Sequence, residues 1–153
     1  MPNPAPAVDL DTAARLRAAV GRLSRRLRHT SAGAAAGLTP TRISVLLAVA
    51  RQGPTRISEL ASTEGINPTM LSRVIADLAE AGLLERVSDQ GDRRAAWVKA
   101  TAAGKRVADR MRRERTDALN AALEGLSDAD RRQIEQAIPA LEGLAEQLKD
   151  RRP

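Results

Sequence analysis

The chain has 153 residues, the length of one compact domain, and can bury a core without a disulfide or a structural metal. It contains no Cys and one His, His29, which excludes disulfides, thiolate nucleophiles, iron–sulfur clusters and multi-histidine metal sites. We therefore expect neither a metal nor a cofactor. Its 25 Lys and Arg residues outnumber its 19 Asp and Glu residues, and the formal net charge of +6 favours a polyanionic partner such as nucleic acid.

Residues 1–8 alternate proline with small residues, which predicts a disordered arm. The arm has neither the basic nor the apolar segment of a secretion signal. No apolar run in the chain approaches the roughly 20 residues that span a bilayer. The sequence thus predicts a cytoplasmic protein without a membrane partner.

An amphipathic helix is predicted to follow the arm, beginning near Asp9. Its apolar stripe includes Leu16, Val20 and Leu23, and arginines lie between the members of the stripe. We expect this helix to end loosely in the Ala-rich segment around Gly33.

Two prolines mark the beginnings of later helices. Thr39 precedes Pro40 and Asn67 precedes Pro68, so each pair predicts a capping side chain followed by a proline at the first helical position. A shorter helix is expected between the two, at about residues 56–64.

Beyond the second of these helices the sequence becomes compatible with β-strands. Residues 83–87 and 93–100 are separated by a polar turn that contains Gly91, a pattern that predicts a hairpin. A helix pair with a tight glycine turn, followed by a hairpin, is typical of a winged helix-turn-helix. The predicted fold is therefore mainly α with a small β-hairpin wing, and it is flanked by helices at both ends.

The second helix of such a pair enters a major groove, so its outer side is the candidate DNA contact. Arg73 is the strongest candidate for a base edge, because its planar guanidinium can grip guanine. The alternative is a core helix whose arginines are only solvated. The candidate DNA-binding residues of this helix are Asn67, Pro68, Thr69, Met70, Ser72 and Arg73.

The tip of the hairpin carries three further candidates, Asp92, Arg93 and Arg94. Adjacent arginines repel each other, and the negative potential of a narrow minor groove would offset that repulsion. A carboxylate of the turn can also pair with one of them. This leaves open which of Arg93 and Arg94 enters the groove.

At this point the stretch from Leu38 to Gly104 resembles the MarR family of multiple antibiotic resistance regulators. The resemblance rests on LTP at 38–40, ISELA at 57–61, NPTMLSR at 67–73, LAEAGLLER at 78–86, DRR at 92–94 and KATAAG at 99–104. It implies a homodimeric transcription regulator, usually a repressor, that binds a pseudo-palindromic operator. It also implies release by a small effector, often an aromatic or phenolic acid.

The resemblance also implies a role for the wing, where the family repeats an Asp-x-Arg pattern that Asp92 and Arg94 match. In the family this arginine goes to the minor groove. Gly91 stands where family wings often carry another basic residue, so the tip departs from the pattern there.

The terminal helices are predicted to form a dimerisation region over residues 9–37 and 105–153, outside the winged helix-turn-helix of residues 38–104. These helices carry apolar stripes, whereas the winged unit already has its own core. We therefore expect a partner subunit to bury the stripes in a dimer interface. Packing within one chain is the alternative. The residues expected at the dimer interface are Leu16, Val20, Leu23, Ile134, Ile138, Leu141, Leu144 and Leu148. The charged run between Lys105 and Arg115 is interpreted as a solvated helix face.

Three classes of function remain. The first is a sequence-specific regulator, whose partners are double-stranded DNA, a second copy of the chain and a small effector. The alternative is an architectural protein that coats DNA with little sequence preference. An enzyme is not expected, because the sequence has no P-loop, no nucleotide-binding glycine pattern and no paired carboxylates in an apolar setting. The chain lacks Tyr and Phe to line an aromatic pocket, and without Cys it cannot respond through thiol oxidation.

Overall fold

The computed structural model describes residues 10–88 and 96–149. The elements are α1 (Leu10–Arg26), α2 (Ser31–Ala35), α3 (Pro40–Gln52), β1 (Thr55–Arg56), α4 (Ile57–Glu64), α5 (Pro68–Glu80), β2 (Leu84–Ser88), β3 (Ala96–Ala100), α6 (Ala102–Glu124) and α7 (Asp128–Lys149). The chain divides into two compact units, Met1–Arg115 and Thr116–Pro153. Within the described residues, no helix is long and apolar enough to cross a membrane.

The first helix ends earlier than predicted. α1 stops at Arg26, and the Ala-rich segment forms a separate five-residue helix, α2, which begins at Ser31. Thr30 explains this break, because its Oγ1 accepts a hydrogen bond from the Gly33 N–H at 3.2 Å and so caps a new helix. The predicted loose end near Gly33 was therefore wrong.

Both proline-led helices begin where they were predicted to begin. The Oγ1 of Thr39 accepts a hydrogen bond from the Arg42 N–H at 3.4 Å, at the start of α3. The Oδ1 of Asn67 accepts one from the Thr69 N–H at 2.9 Å, at the start of α5. Each capping side chain satisfies a backbone donor that a helix start otherwise leaves without a partner.

The predicted hairpin is part of a three-stranded antiparallel sheet with the order β1-β3-β2. β2 and β3 pair from Leu84 opposite Ala100 to Ser88 opposite Ala96. The two-residue strand β1, which the sequence analysis did not predict, pairs with the other edge of β3. The predicted fold class, mainly α with a small β wing, is confirmed.

The core of the first unit lies among α3, α4, α5, the sheet and the first turns of α6. α5 contributes Leu71, Ile75 and Leu78, and none of these three side chains is exposed. Burying side chains of this size contributes roughly 1.5–3 kcal/mol each, so the inward face of α5 is fixed by packing. The largest fully buried side chains are Leu46, Leu60, Leu71, Ile75, Leu78, Leu84, Met111, Val45, Val49 and Val98.

The beginning of α6 is held against the segment that precedes β2. The Thr101 hydroxyl donates to the Gly82 carbonyl at 2.6 Å and accepts from the Gly104 N–H at 3.0 Å. The Thr101 N–H donates to the Leu83 carbonyl at 3.1 Å. A Cβ on Gly104 would lie 2.0 Å from that same Leu83 oxygen. Glycine is therefore required at this position for α6 to approach the wing so closely.

A carboxylate on α6 holds the start of α2. Glu114 Oε1 accepts from the Ser31 hydroxyl at 2.6 Å and from the Ala32 N–H at 3.2 Å, while Oε2 accepts from the Ser31 N–H at 2.7 Å. A negative charge at a helix start also interacts favourably with the helix dipole. Glu114 is partly buried, as are Arg112 and Arg115, so the interpretation of this charged run as a solvated face was wrong at these three residues.

The hydrogen bond from the Ser31 side chain is the main reason that the pKa of Glu114 is lowered. Burial raises the pKa and so opposes this effect, while the N–H groups of Ala32 and Ser31 and the charge of Arg110 lower it further. The ionised carboxylate is thus the form that the folded chain prefers.

The second unit contains the end of α6 and all of α7. The Ser127 hydroxyl accepts from the Asp130 N–H at 3.1 Å and donates to an Asp130 carboxylate oxygen at 2.7 Å, and so caps α7. α7 continues through Pro139 as one helix. Its apolar side chains are exposed, from 41% for Ile134 to 59% for Leu148.

We expect Gly104→Ala to lower the free energy of unfolding by about 1–3 kcal/mol, because the new methyl group overlaps the Leu83 backbone. The matched control is Gly21→Ala, a helical glycine of the same unit whose Cβ would meet only the end of the Arg25 side chain, at 3.5 Å. This control should be more stable than the parent by about 0.5–1 kcal/mol. Urea unfolding followed by circular dichroism measures both, and equal effects would contradict the close approach.

We expect Glu114→Gln to lower the melting temperature near neutral pH and to have a smaller effect in acid. The pKa of Glu114 is lowered by folding, so its stabilisation is present above the unfolded value of 4.5 and is lost as the pH falls through the folded value. Melting curves of both proteins across the acid range measure the difference. A difference that stays constant with pH would show that the charge of Glu114 is not involved.

Candidate nucleic-acid interface

The turn between α4 and α5 determines the direction in which α5 leaves the core. Gly65 ends α4 in the left-handed conformation, with φ 64° and ψ 33°. The Gly65 N–H donates to the Ser62 carbonyl at 3.3 Å, and the Ile66 N–H donates to the Ala61 carbonyl at 3.0 Å. These two bonds close the end of α4, and Ile66 packs against the core. The next residue, Asn67, is then already the cap of α5.

The outer side of α5 is free at its N-terminal end. Thr69, Met70, Ser72 and Arg73 are all exposed, and Met70 has 54% of its surface in solvent. Arg73 forms no ion pair with the part of the chain that the structure describes. A helix that packs one face in a core and leaves polar and basic side chains free at its N-terminus can enter a major groove.

Asn67 and Pro68 form the exposed start of the same helix. The Oδ1 of Asn67 is occupied by the N–H of Thr69, which leaves its amide N–H₂ group for other contacts. Pro68 has no N–H and presents only its ring. DNA contact by Asn67, Pro68 and the four neighbouring candidates stays a prediction.

An ion pair that the sequence analysis missed connects α5 to α3. The Arg42 guanidinium binds the carboxylate of Asp77, and both side chains are partly exposed. Such a pair contributes up to about 1 kcal/mol to stability, but it restricts rotation of α5 about its own axis. The two residues are 35 positions apart in the chain, so no local pattern signals the pair.

The outer face of the sheet carries a second set of contacts. Arg56 lies over the ring of Trp97, with 5.3 Å between the guanidinium carbon and the ring centroid, a cation–π contact. Lys99 Nζ and Glu85 Oε1 are 3.2 Å apart on neighbouring strands. These pairs are directly opposite each other in the strand register, so they brace the base of the wing. The predicted wing contacts Asp92, Arg93 and Arg94 lie outside the described residues.

The described part of the interface carries exposed cations. Arg73 on α5 and Arg86 on β2 are both exposed cations, whose charge suits phosphate oxygens. In residues 10–88 and 96–149, no three His, Asp or Glu side chains are grouped so that they could hold a metal ion.

The residues predicted for dimerisation are mostly exposed. In the first unit, Leu16 is half-buried, while Val20 and Leu23 expose 53% and 56% of their surfaces. In the second unit, the stripe of α7 is exposed throughout and consists of Ile134, Ile138, Leu141, Leu144 and Leu148. Runs of exposed aliphatic side chains at helical spacing are typical of surfaces that another chain covers.

Comparison with known proteins gives a family and a fold. The model of the MarR family matches residues 38–96, which include the helix-turn-helix and most of the wing. No curated protein sequence matches the chain.

Solved structures resemble the chain over nearly its whole length. A putative transcriptional regulator from Pseudomonas aeruginosa PA01 is 31% identical, with a TM-score of 0.74, over 90% of this chain and 96% of that one. RV1404 from Mycobacterium tuberculosis has a TM-score of 0.80 at 20% identity, over 92% and 96% of the two chains. NadR, solved in complex with 4-hydroxyphenylacetate, has a TM-score of 0.73 at 21% identity, over 99% and 100%. At identities near 20%, the last two likenesses concern the fold alone.

We expect Arg73→Ala to weaken binding to a specific DNA site by about 1–3 kcal/mol and to relax selectivity at one base position, because a bidentate contact with a base edge is lost. Anisotropy measurements with a set of singly substituted DNA duplexes provide the test. The control is Arg113→Ala, an exposed arginine on α6 that should leave both affinity and selectivity unchanged. A uniform loss on every duplex would place Arg73 at a phosphate.

Proposed function

The chain belongs to the MarR family, and on that basis we propose that it is a homodimeric transcriptional repressor that leaves its operator when a small effector binds. MarR-family proteins are DNA-binding transcriptional regulators, so DNA-binding regulation follows from membership. The single observation that carries the proposed DNA contact is the exposed N-terminal end of α5 with Arg73, which follows the closed turn after α4.

In the proposed complex, α5 lies in a major groove, where Arg73 reads a base edge. Thr69 and Ser72 donate hydrogen bonds from their hydroxyls, and Met70 provides apolar contact for a thymine methyl group. Asp92 orients the arginines of the wing, and Arg93 or Arg94 enters the adjacent minor groove. The net charge of +6 supports this assignment, because neutralising phosphates releases counterions and drives association.

We propose that a second copy of the chain packs against the exposed apolar stripes of α1 and α7. A two-fold symmetric dimer presents the same surface twice, which matches a pseudo-palindromic operator. The two copies of α5 would then lie about 34–36 Å apart, one turn of B-form DNA. More than half of the surface of each of Val20, Leu23 and Leu148 is exposed in the single chain, which supports this dimer interface.

The experiment that tests the function is selection of bound fragments from genomic DNA, followed by affinity measurements on the selected site and on a scrambled duplex. We expect a preference of roughly a thousandfold or more for the selected site at physiological salt. Equal affinity for both duplexes would identify an architectural protein that coats DNA. Transcription from a promoter that contains the site should fall when the protein is added.

We expect Leu141→Glu to convert the dimer to a monomer, because an unpaired carboxylate would be buried in the interface. The control is Gln136→Glu, which adds the same charge to α7 on the side away from the stripe. Sedimentation measures the mass of each variant, and circular dichroism checks that both remain helical. A dimer that survives Leu141→Glu would place the interface elsewhere.

A further inference from the structure

We propose that Arg42 is a positioning residue for DNA binding, although it lies on α3 and outside the candidate contacts of α5 and the wing. Its role is to neutralise Asp77, an acidic residue that α5 places one turn beyond Arg73. Arg42 thereby prevents a negative charge on α5 from opposing DNA and keeps that charge from pairing with Arg73. The inference rests on the DNA contact of α5 proposed above, and it adds a residue on which that contact depends.

The helix α5 carries one acidic side chain within a turn of the proposed DNA-reading arginine. Asp77 follows Arg73 by four positions, and side chains at this spacing are neighbours on a helix surface. The other positions three or four residues from Arg73 hold Thr69, Met70 and Ala76, none of which is charged. The sequence of α5 by itself would therefore allow Arg73 and Asp77 to form an ion pair with each other.

The structure gives this carboxylate a different partner. Arg42 Nη2 donates to Asp77 Oδ2 at 2.5 Å, whereas Arg73 forms no ion pair with the described part of the chain. The helix α3 contains no acidic residue, so Arg42 has no competing carboxylate on its own helix. Both members of the pair remain partly exposed. The pair thus lies at the surface, next to the arginine that is proposed to contact DNA.

Without Arg42, the Asp77 carboxylate would oppose DNA binding in two ways. It would bring a negative charge close to the phosphates, and like charges that approach each other across an interface are strongly unfavourable. It would also attract Arg73, but a surface pair at this spacing changes an equilibrium only roughly twofold. Repulsion from the phosphates is therefore the larger effect. Arg42 removes both effects, because a neutralised carboxylate neither repels the phosphates as strongly nor attracts a second arginine as strongly.

This role differs from that of an ion pair that only restrains α5. If restraint were the whole role, removal of either partner would disturb the helix to the same extent, and DNA binding would weaken equally. Under the proposal, the two removals have different effects. Arg42 without Asp77 is an additional cation near the DNA, whereas Asp77 without Arg42 is an unpaired anion. Removal of both charges should then restore what the loss of Arg42 alone removes.

The test uses the full chain, the selected operator and a scrambled duplex, and anisotropy measures the affinity for each duplex at one fixed ionic strength. Arg42→Met removes the positive charge and keeps an unbranched side chain, and Asp77→Asn removes the negative charge at nearly constant shape. A third variant combines both changes. The control is Arg113→Met, which removes one positive charge from an exposed position on α6. Melting curves check that all four variants fold.

We expect Arg42→Met to bind the operator about tenfold more weakly than the parent chain, and Asp77→Asn to bind it at least as tightly as the parent. The double variant should return to within about twofold of the parent, because the unpaired carboxylate is gone. Arg113→Met should match the parent. Equal losses in the two single variants would overturn the inference and identify a structural restraint. A double variant as weak as Arg42→Met would also overturn it and identify a direct contact of Arg42 with a phosphate.

Two further outcomes separate this inference from the function on which it rests. If the parent chain prefers its operator and Arg42→Met binds it equally well, the role of Arg42 is wrong and the sequence-specific function stands. If the parent binds both duplexes equally, the sequence-specific function is wrong. In that case, a loss in Arg42→Met that the double variant restores on both duplexes would still assign Arg42 to the neutralisation of Asp77.

Discussion

The proposed contact of α5 with DNA depends on the burial of one side of this helix in the core. Its inward stripe, which includes Leu71, Ile75 and Leu78, is completely buried, so the helix cannot rotate without exposing a core. The turn that leads into α5 contains Gly65 in a left-handed conformation, which is energetically unfavourable for residues with a side chain. The opposite face is thereby fixed outward, so the residues proposed to contact DNA are exposed in the free chain. Such preorganisation reduces the ordering cost of binding.

Arginine serves several different roles in this structure, although composition alone suggests only a general affinity for polyanions. Arg42 anchors α5 through Asp77, and Arg56 covers the indole of Trp97. Arg73 is exposed on α5, and Arg115 is partly buried, with its Nε removed from solvent. The planar guanidinium suits all four environments, because it stacks, pairs with carboxylates and tolerates partial burial. The net charge is therefore a sum over arginines in structural contacts and arginines that are exposed to solvent.

Local chemistry made most of the fold predictable from the sequence. A capping residue followed by proline marked the starts of α3 and α5, and apolar periodicity gave the buried face of α5 correctly. Contacts between distant segments were not predictable in the same way. The strand β1 has two residues, too few for alternation to show, and it exists because β3 offers a free edge. The hydrogen bond from Ser31 to Glu114 joins positions that are 83 residues apart in the chain. The candidate DNA-binding residues of α5 were predicted from local rules, whereas Arg28, Arg51 and Arg115 come near one another only in the folded chain.

The stacking of Arg56 on Trp97 has a practical consequence for spectroscopy. Trp97 is the one aromatic side chain in the chain, so intrinsic ultraviolet emission comes from a single indole. That indole sits on β3 at the base of the wing, where a cation lies over its ring. Its emission wavelength and quenching by solutes report on this sheet without a background from other chromophores. Trp97 is thus an intrinsic fluorescent reporter at the point where the hairpin joins the helices.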